Sequence, residues 1–236
     1  MEQCNVAIVG AGYIGMVHID QLMRVPNVRV VGVADKNAKL ASDVASRYGI
    51  PKVYGDAREA IEDDAVDVIH NCTPSSMHFE LNKLALTAGK EVFSEKPLSL
   101  TSKESAELVR LAREHNAVTG INFCYRYYPV VQEAAARVAR GDIGRVYSIM
   151  GSFLQDWLLY ETDYSWRLDP AMAGASNIIS DLGSHWCDLA QFISGLEITE
   201  VMAELRTILP VRKRPKNTET LTFSQASDVE YEDVPV

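Results

Sequence analysis

A glycine-rich turn near the amino terminus constrains the fold of this chain more than any other feature. The pattern G-x-G-x-x-G directly follows the apolar run 6–9 and opens a stretch whose apolar residues recur at helical spacing. Its residues are Gly10, Ala11, Gly12, Tyr13, Ile14 and Gly15. The first glycine permits a tight turn, the second lets the backbone approach a pyrophosphate, and the third permits close packing of helix on strand. The order predicts a strand, a phosphate-binding turn and a helix.

An acidic residue at the end of the next predicted strand narrows the ligand class. Asp35 lies twenty positions after Gly15, where a carboxylate can accept hydrogen bonds from the ribose hydroxyls of a dinucleotide. An isolated glycine turn could be purely structural, but its combination with Asp35 favours dinucleotide binding. The carboxylate would repel a 2′-phosphate, so the sequence predicts NAD, while the neighbouring Lys36 leaves NADP possible.

The first half of the chain alternates short apolar runs with amphipathic stretches, as parallel strands alternate with the helices that cover them. The predicted strands are 5–9, 28–34, 52–54, 66–72, 91–94 and 117–121, and the predicted helices are 13–24, 38–48, 75–88 and 102–115. This α/β pattern predicts a doubly wound parallel sheet of the Rossmann type over residues 1–121, with its ligand crevice at the carboxyl ends of the strands.

The pattern changes after residue 121, and the length of 236 residues is long for one domain. A helix at 130–140, another at 182–193, and strands at 145–153, 198–209, 220–223 and from 230 onward predict an α+β domain over 122–236. We expect its sheet to be open, mostly antiparallel and truncated at the end of the chain. We interpret the basic run of Arg212, Lys213, Arg214 and Lys216 as a solvated loop.

Charge and composition argue against several classes of function. With 23 basic and 32 acidic residues the net charge is −9, which disfavours nucleic acid or an anionic membrane as the main partner. The chain has no apolar window of transmembrane length and no signal-peptide pattern at its start. Its four cysteines lack metal-binding spacing, so we expect reduced thiols and no metal site. A cytoplasmic enzyme fits these features.

Polar residues at two further places predict a reactive site. Glu95 and Lys96 directly follow the fifth predicted strand, which delivers both to the carboxyl edge of the sheet. Asp181, His185 and Asp188 follow at i, i+4 and i+7, one face of a predicted helix, where apolar residues are usual. Each feature also has a structural interpretation, as a solvated lysine or as a core histidine held by a carboxylate.

Four elements occur in order along the chain: the glycine turn, Thr73-Pro74, a Glu-Lys-Pro element and an Asp-x-Gly-x-His motif. In this combination the chain resembles the Gfo/Idh/MocA oxidoreductases, a family named for glucose-fructose oxidoreductase and inositol dehydrogenase. The resemblance implies a dehydrogenase that acts on the CH–OH groups of a sugar, cyclitol or related polyol. It also implies dimer or tetramer formation through the second-domain sheet.

The glycine turn and Asp35, together with the resemblance, assign residues to two groups. We expect the cofactor to be contacted by Gly10, Gly12, Tyr13, Ile14, Gly15, Asp35, Lys36, Thr73, Pro74, His78, Glu95 and Lys96. The substrate would face Lys96, Asp181 and His185 beside the nicotinamide, and Arg126, where the domains meet, would also contact the substrate. Hydride removal needs a base and stabilisation of the developing alkoxide. We expect His185 to be the base, Lys96 to bind the same oxygen and Asp181 to orient them, with a desolvated Lys96 as the alternative base.

The segment 154–180 is long, irregular and aromatic, which is typical of functional loops. Sugars present C–H faces to aromatic rings and hydroxyls to charged groups, so Trp157, Trp166 and Arg167 are predicted substrate contacts. The same rings could instead cover the core. The surrounding sequence is similar to a branch acting on pyranosides such as levoglucosan, although a uronate, an inositol or an amino sugar fits nearly as well.

Two other functions are compatible with this resemblance. Some members of the family use NAD transiently to cleave glycosides, and others sense a dinucleotide without catalysis. A glycosidase would release the aglycone of a chromogenic glycoside, whereas a dehydrogenase would release NADH. Lys96, Asp181 and His185 together count against the sensor.

Overall fold

The computed structural model of the chain describes residues 3–216 and 230–235. The chain divides into two units, Met1–Asn122 and Phe123–Val236. Within the described ranges, no helix combines the length and the apolar character needed to cross a membrane.

The first unit is built on a parallel sheet of six strands, which confirms the predicted fold. The strands are β1 (Cys4–Val9), β2 (Val28–Ala34), β3 (Lys52–Tyr54), β4 (Val68–Asn71), β5 (Glu91–Ser94) and β6 (Thr119–Ile121). Their order is β3-β2-β1-β4-β5-β6, and every neighbouring pair is parallel. The order reverses between β1 and β4, and this is where sheets of this kind open a ligand crevice.

Five α-helices cover this sheet. They are α1 (Tyr13–Leu22), α2 (Ala38–Tyr48), α3 (Ala57–Glu62), α4 (His78–Thr87) and α5 (Ser102–Glu114). A 3-10 turn, Ser75–Met77, precedes α4. The sequence did not predict α3, because six residues give fewer than two helical turns and show little periodicity. Its start is nevertheless encoded locally, since the Asp56 side chain accepts hydrogen bonds from the amides of Arg58 and Glu59.

Apolar packing on both faces of the sheet explains why its strands are almost continuously apolar. Val6 and Ile8 belong to one core layer, together with Ile19 of α1. Ala7 and Val9 belong to the other layer, together with Leu86 of α4 and Leu108 of α5. Alternate residues of β1 therefore pack on opposite faces of the sheet.

The second unit confirms some predicted elements and overturns others. Its helices are α6 (Pro129–Arg140), α7 (Pro170–Ala173) and α8 (Ser184–Ser194), and a π-helical turn, Ile179–Gly183, leads into α8. The predicted strands 145–153 and 198–209 are wrong, because no strand of the described residues pairs with them, and a strand exists only in a ladder. The predicted strand 220–223 lies outside the described residues.

One small sheet is described in this unit, formed by β7 (Val211–Pro215) and β8 (Tyr231–Pro235) as an antiparallel pair. The interpretation of the basic run as a solvated loop is wrong. Opposite charges lie directly across the ladder, with Lys213 facing Asp233 and Arg214 facing Glu232, and such pairs favour strand pairing. Arg212 is only 9% exposed, and its guanidinium donates to the carbonyls of residues 158, 160 and 163.

Candidate functional site

The glycine turn connects β1 to α1 through close contacts that a side chain would obstruct. Gly10 has a φ of +97°, and a Cβ there would lie 2.6 Å from the carbonyl oxygen of Cys72. A Cβ on Gly15 would lie 2.0 Å from the carbonyl oxygen of Gly10. Both positions need glycine for the turn itself, so the predicted roles in turning and packing are confirmed for these two residues.

Gly12 differs from the other two glycines because the space beside it is open. Its φ of −66° is ordinary, and a Cβ built there would meet no atom within 4 Å. No side chain in the described ranges caps this end of α1, and the unpaired amides of a helix start are suited to an anion. The turn therefore offers the room and the donors that a pyrophosphate needs. Tyr13 is exposed, while Ile14 packs against the core.

Asp35 ties the end of β2 to the glycine turn. Its Oδ2 accepts the amide of Ala11 at 2.8 Å, and its Oδ1 accepts the amide of Asn37 at 2.8 Å. A carboxylate has about four acceptor sites, so this fixed group can still accept from ribose hydroxyls. Lys36 beside it is exposed. These residues fit the adenosine half of a dinucleotide.

The end of β4 continues into a chain of buried polar contacts. The hydroxyl of Thr73 donates to Oδ1 of Asn71 at 2.7 Å, and Nδ2 of Asn71 donates to Oδ1 of Asn82 at 2.8 Å. The amide of Asn82 then donates to the hydroxyl of Ser94, at 2.9 Å. Thr73 and the half-buried Pro74 are thereby fixed relative to the end of β5.

His78 is more deeply buried than the sequence suggested. The ring is 1% exposed, with Nδ1 2.6 Å from the carbonyl oxygen of Pro97 and Nε2 2.9 Å from that of Thr73. Burial lowers the pKa of His78 from its ordinary value, although the two carbonyls partly oppose the shift. The imidazole links the main chains of the two loops that follow β4 and β5 through hydrogen bonds. Its ring is almost completely covered, whereas a residue that lines the cofactor cleft would be expected to be accessible.

Glu95 is also buried, at 8% exposure, and both oxygens of its carboxylate accept hydrogen bonds. Oε1 accepts from Nε2 of His18 at 3.1 Å and from the amide of Asn122 at 2.5 Å, while Oε2 accepts the main-chain amide of Lys96 at 3.2 Å. Burial raises the pKa of Glu95, but the hydrogen bonds from His18 and Asn122 outweigh it and hold the pKa below its usual value. The glutamate is therefore ionised.

Sequence reasoning missed His18, His70 and Asn122. The signal for His18 was available, because it is three positions after Gly15 on the buried face of α1, next to Ile19, where an apolar residue is usual. His70 interrupts the apolar run of β4 and packs against Phe93, with ring centroids 4.9 Å apart. Burial lowers the pKa of His70 to about 3, so this ring is neutral.

In the second unit His185 lies buried among aromatic rings. It is 6% exposed, and its ring centroid is 4.5 Å from that of Tyr125, 5.7 Å from Phe123 and 6.0 Å from Phe153. Such an apolar surround restricts water around an imidazole and strengthens its interactions with any polar group that reaches it.

The acidic residues of the predicted motif have separate partners within the second unit. Asp181 belongs to the π-helical turn and accepts from Nε of Arg167 at 3.4 Å. Asp188, on α8, is paired with Arg126, whose Nε donates to Oδ2 at 3.0 Å. The expectation of one regular α-helical face is wrong, because the wider π turn changes the offset between Asp181 and His185.

The aromatic loop residues also lie in the second unit. The guanidinium of Arg167 stacks over the ring of Trp166 at 4.6 Å from its centroid. Trp157 and Trp166 are both half-buried. Of the expected reacting groups, Lys96 belongs to the first unit, two residues after the end of β5, and Asp181 and His185 belong to the second.

The reversed strand order, the open glycine turn and the anchored Asp35 define a dinucleotide-binding domain of the Rossmann class. Comparison with protein families agrees. Residues 4–123 match the oxidoreductase family with an NAD-binding Rossmann fold, and residues 131–232 match the GFO/IDH/MocA C-terminal domain. The chain belongs to the Gfo/Idh/MocA oxidoreductase family, which confirms the resemblance.

Individual relatives are named as dehydrogenases. The chain is 33% identical over 222 residues to levoglucosan dehydrogenase of Pseudarthrobacter phenanthrenivorans, covering 90% of this chain and 56% of that protein. It is 30% identical to the NAD-dependent scyllo-inositol 2-dehydrogenase of Bacillus subtilis, covering 88% and 58%. A structure of levoglucosan dehydrogenase with NADH and levoglucosan aligns with a TM-score of 0.76 at 30% identity, covering 82% and 55%. The chain thus spans a little over half the length of these relatives.

Proposed function

We propose that this chain is an NAD-dependent dehydrogenase that oxidises a secondary alcohol of a sugar, cyclitol or related polyol. The observation that carries the proposal is the open space at Gly12 next to Asp35, whose carboxylate is fixed by the amide of Ala11. The same edge of the sheet also carries Lys96. The named activities of the relatives support the same reaction class. Asp35 disfavours a 2′-phosphate, so NAD is proposed over NADP.

Within this proposal each polar group of the site has a distinct role. Bound NAD supplies the hydride acceptor. His185 takes the hydroxyl proton from the substrate, and Lys96 donates a hydrogen bond to the same oxygen, stabilising its developing negative charge. Asp181, held by Arg167, orients the substrate or the base. The π turn that carries Asp181 supports this role, because such irregular turns are frequent at functional sites.

Substrate binding is proposed for the aromatic and basic residues of the second unit. Trp157 and Trp166 would pack on sugar C–H faces, and Arg167 would bind a hydroxyl. Arg126 is held by Asp188 but has further N–H donors, so its contact with substrate stays a prediction. Levoglucosan or another pyranoside is the first substrate to test.

We also propose that the protein is cytoplasmic and forms a homo-oligomer through the second unit. Light scattering would test the oligomeric state.

The experiment is a panel of sugars, anhydrosugars and cyclitols incubated with NAD or NADP while the absorbance of the reduced nicotinamide is followed. We expect reduction of NAD with at least one pyranoside or cyclitol. Silence across the panel would contradict the proposal. Release of an aglycone from a chromogenic glycoside without accumulation of NADH would identify a glycosidase instead.

A further inference from the structure

A buried polar cluster lies at the carboxyl ends of the central strands in the first unit. We call it the Glu95 cluster, and its members are His18, His70, Cys72, Glu95 and Asn122. They come from five separate places in the chain, namely α1, β4 and the residues that follow β4, β5 and β6. All except the half-buried Asn122 are at most 8% exposed.

The protons of this cluster can be placed so that each histidine nitrogen that lies near a polar atom makes a hydrogen bond with it. Nε2 of His18 donates to Glu95, and Nδ1 of His18 lies 3.0 Å from Nδ1 of His70. A neutral His70 either donates to a neutral His18 or accepts from a protonated one. In both arrangements His18 donates toward the glutamate. The thiol of Cys72, 3.4 Å from Nδ1 of His18, stays protonated because burial raises its pKa.

The carboxylate at the centre of this cluster is therefore a fixed negative charge. Burying it has a cost in solvation, and an apolar cluster of similar volume would stabilise the fold at least as well. Its position suggests another use, because the remaining oxygen of Glu95 accepts the main-chain amide of Lys96. The charge also acts beyond the cluster, since it raises the pKa of His78, while Lys96 lowers it.

We propose that Glu95 is a positioning residue for the reaction, in which its ionised carboxylate fixes the main chain of Lys96. His18 and Asn122 hold the carboxylate in place. A fixed main chain at Lys96 keeps its side chain where it can stabilise a developing alkoxide. This inference rests on the proposed function, in which Lys96 contacts the substrate oxygen.

Glu95→Gln removes the charge and keeps the size of the side chain. We expect kcat to fall about tenfold, because small misplacements of a reacting group are costly, with the Kd of NAD nearly unchanged. The KM for substrate should change less than kcat, because a misplaced lysine acts mainly on the transition state. A purely structural glutamate would lower the melting temperature without this split between kcat and KM.

Two further variants complete the test. Glu95→Asp keeps the charge but shortens the side chain, which withdraws the carboxylate from its present partners, so kcat should fall. Glu107→Gln is the matched control, because Glu107 pairs with Lys83 on the surface of the same unit, and it should behave as the unmodified chain. If Glu95→Gln does not fold, Glu95→Asp still decides, since an unchanged kcat would overturn the positioning role.

A measurement that does not depend on enzyme activity distinguishes a failure of this inference from a failure of the proposed function. Hydrogen exchange at the main-chain amide of Lys96, measured by peptide mass spectrometry with peptides of α5 as the reference, should become several-fold faster in Glu95→Gln. The reason is that the side-chain amide has one acceptor oxygen for donors that now share two. An unchanged exchange rate together with an unchanged kcat would overturn the inference alone. A Lys96→Ala variant that still oxidises substrate would instead overturn the proposed function.

Discussion

The amide of Ala11, inside the glycine turn, donates a 2.8 Å hydrogen bond to Oδ2 of Asp35 at the end of β2. The other oxygen of the same carboxylate accepts from Asn37 at the start of the next helix. The parts expected to bind pyrophosphate and ribose are thus joined before any ligand arrives. Preorganisation of this kind lowers the entropic cost of binding.

Asp35→Asn should change cofactor preference. The amide has only one acceptor oxygen for two backbone donors, and the negative charge that opposes a 2′-phosphate is gone. We expect the Kd of NAD to rise about tenfold and the preference for NAD over NADP to shrink by at least a similar factor. Fluorescence titration with both cofactors measures this. Asp56→Asn is the control, because Asp56 also accepts two backbone amides; an equal change there would contradict the assignment.

Gly12→Ala and Gly15→Ala should separate ligand binding from folding. A Cβ at Gly12 meets open space, so the variant should melt like the unmodified chain and yet bind NAD about tenfold or more weakly. A Cβ at Gly15 collides with the carbonyl of Gly10, so unfolding should become easier by about 1–3 kcal/mol. Thermal melting and NAD titration on both variants test this. Loss of stability in Gly12→Ala with intact binding would refute the proposed phosphate site.

Lys96→Ala and His185→Ala should each lower turnover about a hundredfold or more while the Kd of NAD changes little. The reason is that both groups are proposed to act mainly on the substrate oxygen, while the glycine turn and Asp35 would provide most of the affinity for the dinucleotide. Lys103→Ala and His115→Ala, at exposed positions, are the matched controls. If both site variants lost cofactor affinity as strongly as turnover, the two residues would be parts of the scaffold.

The features predicted correctly are those encoded by neighbouring residues. Helix α2 begins and ends where its sequence pattern does, since the Asn37 side chain caps its first turn and Gly49 ends it with a φ of +66°. The glycine turn was equally readable, because each of its contacts follows from the absence of a side chain.

The features that were missed depend on residues far apart in the chain. Asn122 meets His18 across 104 positions, and no local pattern announces that contact. The π turn before α8 shifts the phase of the helix by one residue, which apolar periodicity does not resolve. The strand β7 is basic and was interpreted as a loop, because its acidic partners on β8 lie about twenty positions away.

The neutral His70 should make stability depend on pH. Its pKa is about 3 in the folded chain and 6.5 ordinarily, so between these values the unfolded chain binds a proton that the folded chain does not. The free energy of unfolding should therefore be unaffected by this group above pH 6.5 and fall by up to about 1.4 kcal/mol per pH unit below it. In urea unfolding measured from pH 7 to pH 4, His70→Asn should lose less of its free energy of unfolding per pH unit than the unmodified chain. His115→Asn, the exposed control, should keep the original slope, and an unchanged slope in His70→Asn would contradict the burial argument.

Variants of the ion pair between Arg126 and Asp188 should show whether Arg126 stabilises the fold or contacts the substrate. Asp188 is 7% exposed in its side chain, so Arg126→Leu leaves a buried carboxylate without its partner. We expect a loss of about 2–3 kcal/mol, reduced from that of a fully buried pair because Arg126 is 35% exposed. The double variant Arg126→Leu/Asp188→Leu should recover most of the lost stability.

Arg137→Leu is the control, because it breaks an exposed pair with Glu133, and it should cost less than about 0.5 kcal/mol. A normal melting temperature with a raised KM in Arg126→Leu would instead favour the substrate contact, because the lost interaction would then lie with the ligand.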